Sequence, residues 1–219
     1  MLRERLQALE ERIGRAVERA GRRREEITLV AITKVFPAAA IREAYDLGLR
    51  HFGENYVQEF EAKAPEVTDL DDACFHFVGR LQSNKARRAT ELFSVVQTVD
   101  SEKIARRISD IGKAIEVMLE IKLSSEQAKS GADPESLPAL VEAVRALPNL
   151  KLAGLMTMPP WSDDAERSRP YFQRLRRLAE ENGVQGLSMG MSQDFEVAIE
   201  EGATHLRIGT ALFGPRRRE

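Results

Sequence analysis

One cysteine, one tryptophan, three histidines and no long apolar run mark what this chain does without. With Cys74 alone, no disulfide framework is possible, and no second thiol pairs with it at metal-binding spacing. No window approaches the roughly 18 to 20 consecutive apolar residues of a spanning helix, so no membrane span is expected. An excess of one charge sign is missing too. The 33 Lys and Arg face 35 Asp and Glu, a net charge of −2, which argues against a dedicated binder of nucleic acid or of acidic membranes. Met1-Leu-Arg-Glu-Arg5 is charged where a secretory leader is apolar, so a cytoplasmic protein is expected. What the chain does have is apolar content, 42% of 219 residues, ample for the core of one compact domain.

Leu2, Leu6, Leu9, Ile13 and Val17 form one stripe of an amphipathic helix within residues 1–24, with arginines and glutamates on the other face. Beyond it, short apolar runs at 27–33, 49–53, 75–79, 93–99, 115–123, 152–156, 186–189 and 204–208 read as strands. Helical patterns lie between them. Pro37 opens one that Gly48 closes, and others cover 81–92, 101–112, 137–147 behind Asp133-Pro134, 165–182, and 192–202 with Ser192 as N-cap. Eight strand-like runs separated by helical ones predict an α/β fold, a single (β/α)8 TIM-type barrel over 1–219. A doubly wound open sheet is the alternative.

In such barrels the chemistry sits at the C-terminal ends of the strands. Lys34 ends the first run, in a chain with 8 lysines against 25 arginines. Desolvation there would free a neutral amine for Schiff-base formation; a snorkelling lysine at a strand end is the plainer reading. Ser188-Met-Gly-Met-Ser192 and Arg207-Ile-Gly-Thr-Ala-Leu-Phe-Gly214 follow the last two strands. Loops there commonly bind phosphate, and Gly190, Gly209, Ser188, Ser192 and Thr210 would suit it; two ordinary loops with capping serines remain the alternative. A phosphate anchor facing a lysine describes a phosphorylated aldehyde, with pyridoxal 5′-phosphate (PLP) the obvious candidate.

At these residues the chain resembles the pyridoxal phosphate homeostasis protein family, relatives of the barrel domain of alanine racemase. The matching stretches include Leu29-Val-Ala-Ile-Thr-Lys34, His51-Phe-Gly-Glu-Asn-Tyr-Val-Gln-Glu59, Phe75-His-Phe-Val-Gly-Arg-Leu-Gln-Ser-Asn-Lys85, Thr98-Val-Asp-Ser101, Lys129-Ser-Gly131 and Gly154-Leu-Met-Thr-Met-Pro-Pro160, besides the two loops above. The resemblance implies a PLP fold type III barrel without the C-terminal β domain of alanine racemase. It implies PLP joined to Lys34 as an internal aldimine, with Ser188, Ser192, Gly209 and Thr210 on its phosphate. Arg207 would face the pyridine nitrogen and Asn55 would lie beside the ring. Two departures stand out: Lys122, where an asparagine is common, and Val35-Phe36, where more polar residues are common.

A guanidinium has no proton to share at neutral pH, so Arg207 opposite the ring nitrogen would weaken PLP as an electron sink. The chain runs only five residues past Gly214, so the second domain that gives alanine racemase its opposing acid–base group is expected to be absent. The expected function is therefore a PLP carrier or buffer, a monomer delivering the cofactor to PLP-requiring apo-enzymes. A small PLP-dependent amino-acid racemase is the enzyme alternative, and a cofactor-free aldolase using Lys34 or Lys122 a third. Cys74-x-His76 has the form of half a metal site, but a strand with one buried thiol is the reading preferred. His51, His76 and His205 fall on separate runs without paired spacing, so no metal site is expected. Arg22 to Arg24 and Arg216 to Arg218 read as solvated charge, and Trp161 as part of a surface loop over the barrel mouth.

Overall fold

The computed structural model describes residues 1–124 and 130–215; Lys129 and Arg216 to Arg218 lie outside the described residues. Eight parallel strands close on themselves in sequence order: β1 Thr28–Ile32, β2 His51–Glu54, β3 Cys74–Phe77, β4 Val95–Val99, β5 Ile115–Glu120, β6 Leu150–Met156, β7 Gly186–Ser188 and β8 His205–Ile208. Closure comes from β8 pairing with β1, Thr28 opposite His205 and Val30 opposite Arg207. The barrel expected from the alternating pattern is thus the observed architecture, and the open sheet is excluded.

Helices α1 Leu2–Arg19, α2 Ala38–Asp46, α3 Val57–Lys63, α4 Ala86–Leu92, α5 Glu102–Ser109, α6 Leu137–Arg145, α7 Arg169–Glu181, α8 Phe195–Glu200 and α9 Thr210–Phe213 accompany the strands. The leucine stripe of α1 buries Leu2, Leu9, Ile13 and Val17 against α8 and α9. Among the described residues no helix is long and apolar enough to cross a membrane. Several boundaries move from the sequence expectation for local reasons. Pro170 has no N–H to donate, so α7 begins around it, after a 3-10 turn at Ala165–Ser168. Helix α8 starts at Phe195 rather than at Ser192, whose hydroxyl is used elsewhere.

The apolar core lies chiefly between the outer faces of the strands and the helices, with Ile41, Phe52, Phe60, Phe77, Phe93 and Phe172 fully buried in it. Inside the barrel, Val30, Ile32 and Val78 form a small separate cluster. Gln97, Ser188 and Arg207 also alternate inward on their strands, so a polar row runs through the interior. The barrel therefore divides into an apolar jacket and a polar axis leading to the C-terminal rim.

Two glycines separate packing from propensity. A Cβ on Gly79 would stand 1.9 Å from the Asn55 carbonyl oxygen, whereas one on Gly14, within α1, would meet nothing within 4 Å. Gly79→Ala should lower the unfolding free energy by about 1 to 3 kcal/mol through overpacking. Gly14→Ala should raise it by about 0.5 to 1 kcal/mol through helix propensity. Urea unfolding of both variants checks the opposite signs.

Candidate functional site

Lys34 lies two residues beyond β1, after Thr33, and is half-buried at the C-terminal rim. The backbone on either side of it is held from beneath. Thr33 Oγ1 donates to Glu54 Oε1 at 2.8 Å. Lys63, 8% exposed, donates to the Thr33 carbonyl at 3.0 Å, to Glu54 Oε1 at 2.9 Å and to Glu59 Oε1 at 2.6 Å. Glu59 Oε1 also accepts the Val35 N–H at 2.6 Å. One buried ammonium thus grips the chain before Lys34 directly and after it through Glu59. Val35 requires that grip. Among the described residues it alone, apart from glycines, has a positive φ, 63°, a strained choice for a β-branched residue. Burial pushes the Glu54 carboxyl up, against the opposing pull of Lys63 and Thr33, and its Oε2 lacks a partner. Phe36 then packs on Phe213 of α9, ring centroids 5.0 Å apart, so the Lys34 loop abuts the turn after β8.

On the β8 side of Lys34, the loop after β7 is joined to α9: Ser192 Oγ accepts the Ala211 N–H at 3.1 Å. Asp194 braces the same loop, its Oδ1 accepting from Met191 N–H and its Oδ2 from Ser168, both at 2.7 Å. Sequence reasoning missed Asp194; its place just before Phe195 is an N-cap signal that Ser192 had absorbed. Gly190 turns with φ +92°, and a Cβ there would lie 2.6 Å from Ala198 Cβ. Gly209 caps α9 and Thr210, exposed, opens it. Ser188, by contrast, faces inward and is fully buried. Its hydroxyl is committed within the barrel rather than offered to the rim.

That commitment begins at Arg207, which is 4% exposed and spans the axis, donating to Ser188 Oγ at 2.7 Å and to the Thr157 carbonyl at 2.8 Å. Ser188 Oγ donates to Gln97 Oε1 at 2.6 Å, Gln97 Nε2 lies 2.9 Å from His76 Nδ1, and His76 Nε2 lies 2.9 Å from His51 Nδ1. A guanidinium only donates, so the proton positions along this row follow. Ser188 must accept from Arg207 and pass its own proton to the Gln97 oxygen. The Gln97 NH2 then faces His76 Nδ1, leaving the His76 proton on Nε2, directed at His51 Nδ1. Burial lowers the Arg207 pKa to about 10, still charged at neutral pH, with Asp194 and Glu120 pulling the other way. Burial also lowers His51, holds His76 well below its ordinary value and brings His205 to about 4.

Two cavities open beside this axis. One, of about 600 Å³, is lined by Glu120, Lys122, Ser130, Met158, Trp161 and Met191. Glu120 is 2% exposed; its Oε1 accepts from Ser130 at 2.9 Å, its Oε2 is unpartnered, and burial raises its pKa. The second, of about 390 Å³, holds Asn55 together with Tyr56, Arg80, Gln82 and Lys85. Of the residues singled out in the sequence, then, Ser188 and Arg207 touch, Ser192 is tied to α9, which carries Thr210 after Gly209, and the Lys34 loop neighbours α9 through Phe36. Asn55 lines the neighbouring cavity on the β2 side.

Two stability predictions follow from these buried charges. Lys63→Met leaves Glu54 buried without its counter-charge and should cost about 3 to 5 kcal/mol in urea unfolding. Adding Glu54→Gln should recover part of that loss. His205 is neutral when folded and takes up protons when unfolded, so stability should be complete above pH ~6.5 and fall by about 3 kcal/mol toward pH ~4. A series of urea titrations across that window, shallower in His205→Gln, where only His51 and His76 still contribute among the histidines, checks the sign.

Residues 5–217 match the family described as alanine racemase, N-terminal domain. The pyridoxal phosphate homeostasis protein of Pseudomonas aeruginosa is 49% identical over 211 residues, covering 94% of this chain and 91% of that one. PipY of Synechococcus elongatus, solved with PLP bound, has a TM-score of 0.85 at 39% identity, covering 98% of this chain and 100% of that one. Alanine racemase of Clostridium difficile has a TM-score of 0.73 at 15% identity, covering 100% of this chain and 57% of that one, a likeness of fold alone. With both the barrel and its relatives in hand, the chain belongs to the pyridoxal phosphate homeostasis protein family.

Proposed function

We propose that this chain binds pyridoxal 5′-phosphate reversibly through a Schiff-base linkage at Lys34 and carries or buffers it for apo-enzymes that need it. The observation that carries this reading is the rim geometry. Lys34 is held on one side by the Lys63 grip, and beside it, past β8, the loop after β7 is tied to α9 through Ser192 and Ala211. The residues fit the group. Gly190 stands where a Cβ would collide, keeping that loop's backbone close to the barrel. Ser192, Gly209 and Thr210 are the proposed phosphate contacts. Ser188 contributes by orienting Arg207, since its hydroxyl already donates to Gln97. Asn55 is proposed to flank the ring from the β2 side. The whole chain is proposed to act as one barrel domain and as a monomer, which size-exclusion chromatography tests.

Bound PLP supplies a reactive aldehyde and an electron-withdrawing ring. Arg207 decides how far that ring is used. Its two η nitrogens donate to Ser188 and Thr157, and its pKa of about 10 keeps it charged at neutral pH, so it gives no proton to a ring nitrogen. A ring left unprotonated is a weaker electron sink, which favours holding the cofactor over turning substrate on it. The racemase alternative has one observation in its favour: Glu120, a buried carboxyl with a raised pKa, lines the 600 Å³ cavity beside Lys122 and could act as an acid.

Mixing the purified protein with PLP should produce a Schiff-base absorbance that borohydride fixes, with the label mapping to Lys34. Lys34→Ala should lose it. A label confined to Lys122, or none at all, would overturn the reading. Alanine racemisation abolished by both Lys34→Ala and Glu120→Gln would establish the enzyme instead.

A further inference from the structure

We propose that the N-terminal end of the barrel carries a second site, for Zn2+, built from the thiol of Cys74 and the imidazoles of His51 and His76. The sequence shows only Cys74-x-His76, half of such a site, because the three side chains come from two strands and only register brings His51 to them. His51 opens β2 and Cys74 opens β3, directly paired across the ladder. His76, two residues on, returns to the same inward face. The ligand atoms of all three lie within 4.8 Å of one another. A tetrahedral zinc site has ligand–ligand edges of roughly 3.3 to 3.8 Å, so closing the triangle takes movements of about an ångström. A thiolate with two imidazoles selects a thiophilic d10 cation over Mg2+ or Ca2+. The site lies at the opposite end of the barrel from Lys34 and does not rest on the PLP reading.

The surroundings suit a cation. His51 Nδ1 and His76 Nε2 already stand 2.9 Å apart, close to the ligand–ligand edge of a zinc site. Glu116 lies close enough to act electrostatically on His51 and Cys74 while its Oε1 accepts from Lys151 at 2.6 Å, and burial raises the Cys74 thiol, so the cation itself must displace the thiol proton. His51 and Cys74 are half-buried, giving an ion access from the floor of the barrel, while His76 is 1% exposed. Three protein ligands leave the fourth position to water.

Metal binding requires a defined rearrangement. In the metal-free state His76 carries its proton on Nε2, directed at His51 Nδ1, the line a metal would occupy. Binding moves that proton to Nδ1 and removes the Cys74 thiol proton, so one proton is released per ion. The Nδ1–H then needs an acceptor. Gln97 supplies one by rotating its amide so that the oxygen faces His76, as the outer-shell partner of a metal-bound histidine. That rotation turns the Gln97 NH2 toward Ser188, which already accepts from Arg207. A carboxylate at position 97 would remove the conflict, accepting from both His76 and Ser188.

The test uses the full chain, stripped of metal with chelator and kept reduced, titrated with Co2+ as the spectroscopic stand-in. The expected result is a saturable one-to-one complex with tetrahedral d–d bands and a thiolate charge-transfer band, bleached by Zn2+, with one proton released per ion. Cys74→Ser, a near-isosteric change, should lose the charge-transfer band and most of the affinity while leaving PLP uptake intact. Gln97→Glu should tighten binding by ~10- to 100-fold, the scale of outer-shell effects. An unchanged Co2+ spectrum in Cys74→Ser, octahedral bands only, or Gln97→Glu binding no tighter while folded by circular dichroism would overturn the proposal.

Discussion

A guanidinium has only protons to give, and burying one on the axis of the barrel sets the hydrogen-bond polarity of everything beneath it. Arg207 donates to Ser188 and to the Thr157 carbonyl. From that point each partner has one role left, through Gln97 to His76 and His51. No apolar core of the same volume would impose such an order. The row also reconciles a buried cation with an interior otherwise closed to charge. Asp194 and Glu120 attract it from either side of the rim, and the neutral hydroxyl and amide below spread its field without adding charge of their own.

The second constraint is the buried ammonium of Lys63. Removing a Lys–Glu pair to the interior carries a desolvation cost that is offset only when the geometry is good and the remaining donors are used. Here three acceptors surround Nζ, and two of them, the Thr33 carbonyl and Glu59, bear on the backbone flanking Lys34. The return is positional. Val35 stays at φ 63° because its N–H is bound to a carboxylate that is itself pinned. A lysine on an unconstrained loop would sample many positions over the mouth. This one begins from a fixed backbone, which would lower the entropy lost in the covalent link proposed for its amine.

The barrel was legible in the sequence because its evidence is local: short β-branched runs, caps and closing glycines recur with a period that only a few folds accommodate. The rim residues were legible for a related reason, since strand ends can be located from the same runs. The interior was not. Glu59 and Lys63 stand four apart on a helix, the spacing of a solvated ion pair, and only packing shows that their helix turns this pair under β1. Ser192 carried an ordinary capping signal but serves to tie two loops, and Asp194 stands at the actual start of α8. Ser188 looked like a phosphate ligand by position, yet its inward face depends on strand parity in a three-residue strand, where a shift of one residue reverses the assignment. The pairing of His51 with Cys74 is likewise a matter of register, which no single-strand pattern records.

Glu120 connects these points to the chemistry of the mouth. A carboxyl that is 2% exposed, with one oxygen held by Ser130 and the other without a partner, is poorly placed to keep a full charge, and its pKa moves toward the acid form accordingly. In that form it repels an anion less than a carboxylate would, and a dianionic phosphate arriving at the rim would raise its pKa further. The attraction between Arg207 and Glu120 weakens as Glu120 gains its proton, leaving more of the guanidinium's field for the ligand. Binding of an anion and protonation of Glu120 are therefore linked with the same sign, and each favours the other. Electrostatics of this kind would suit reversible capture of an anion, since its arrival and the protonation of Glu120 reinforce one another.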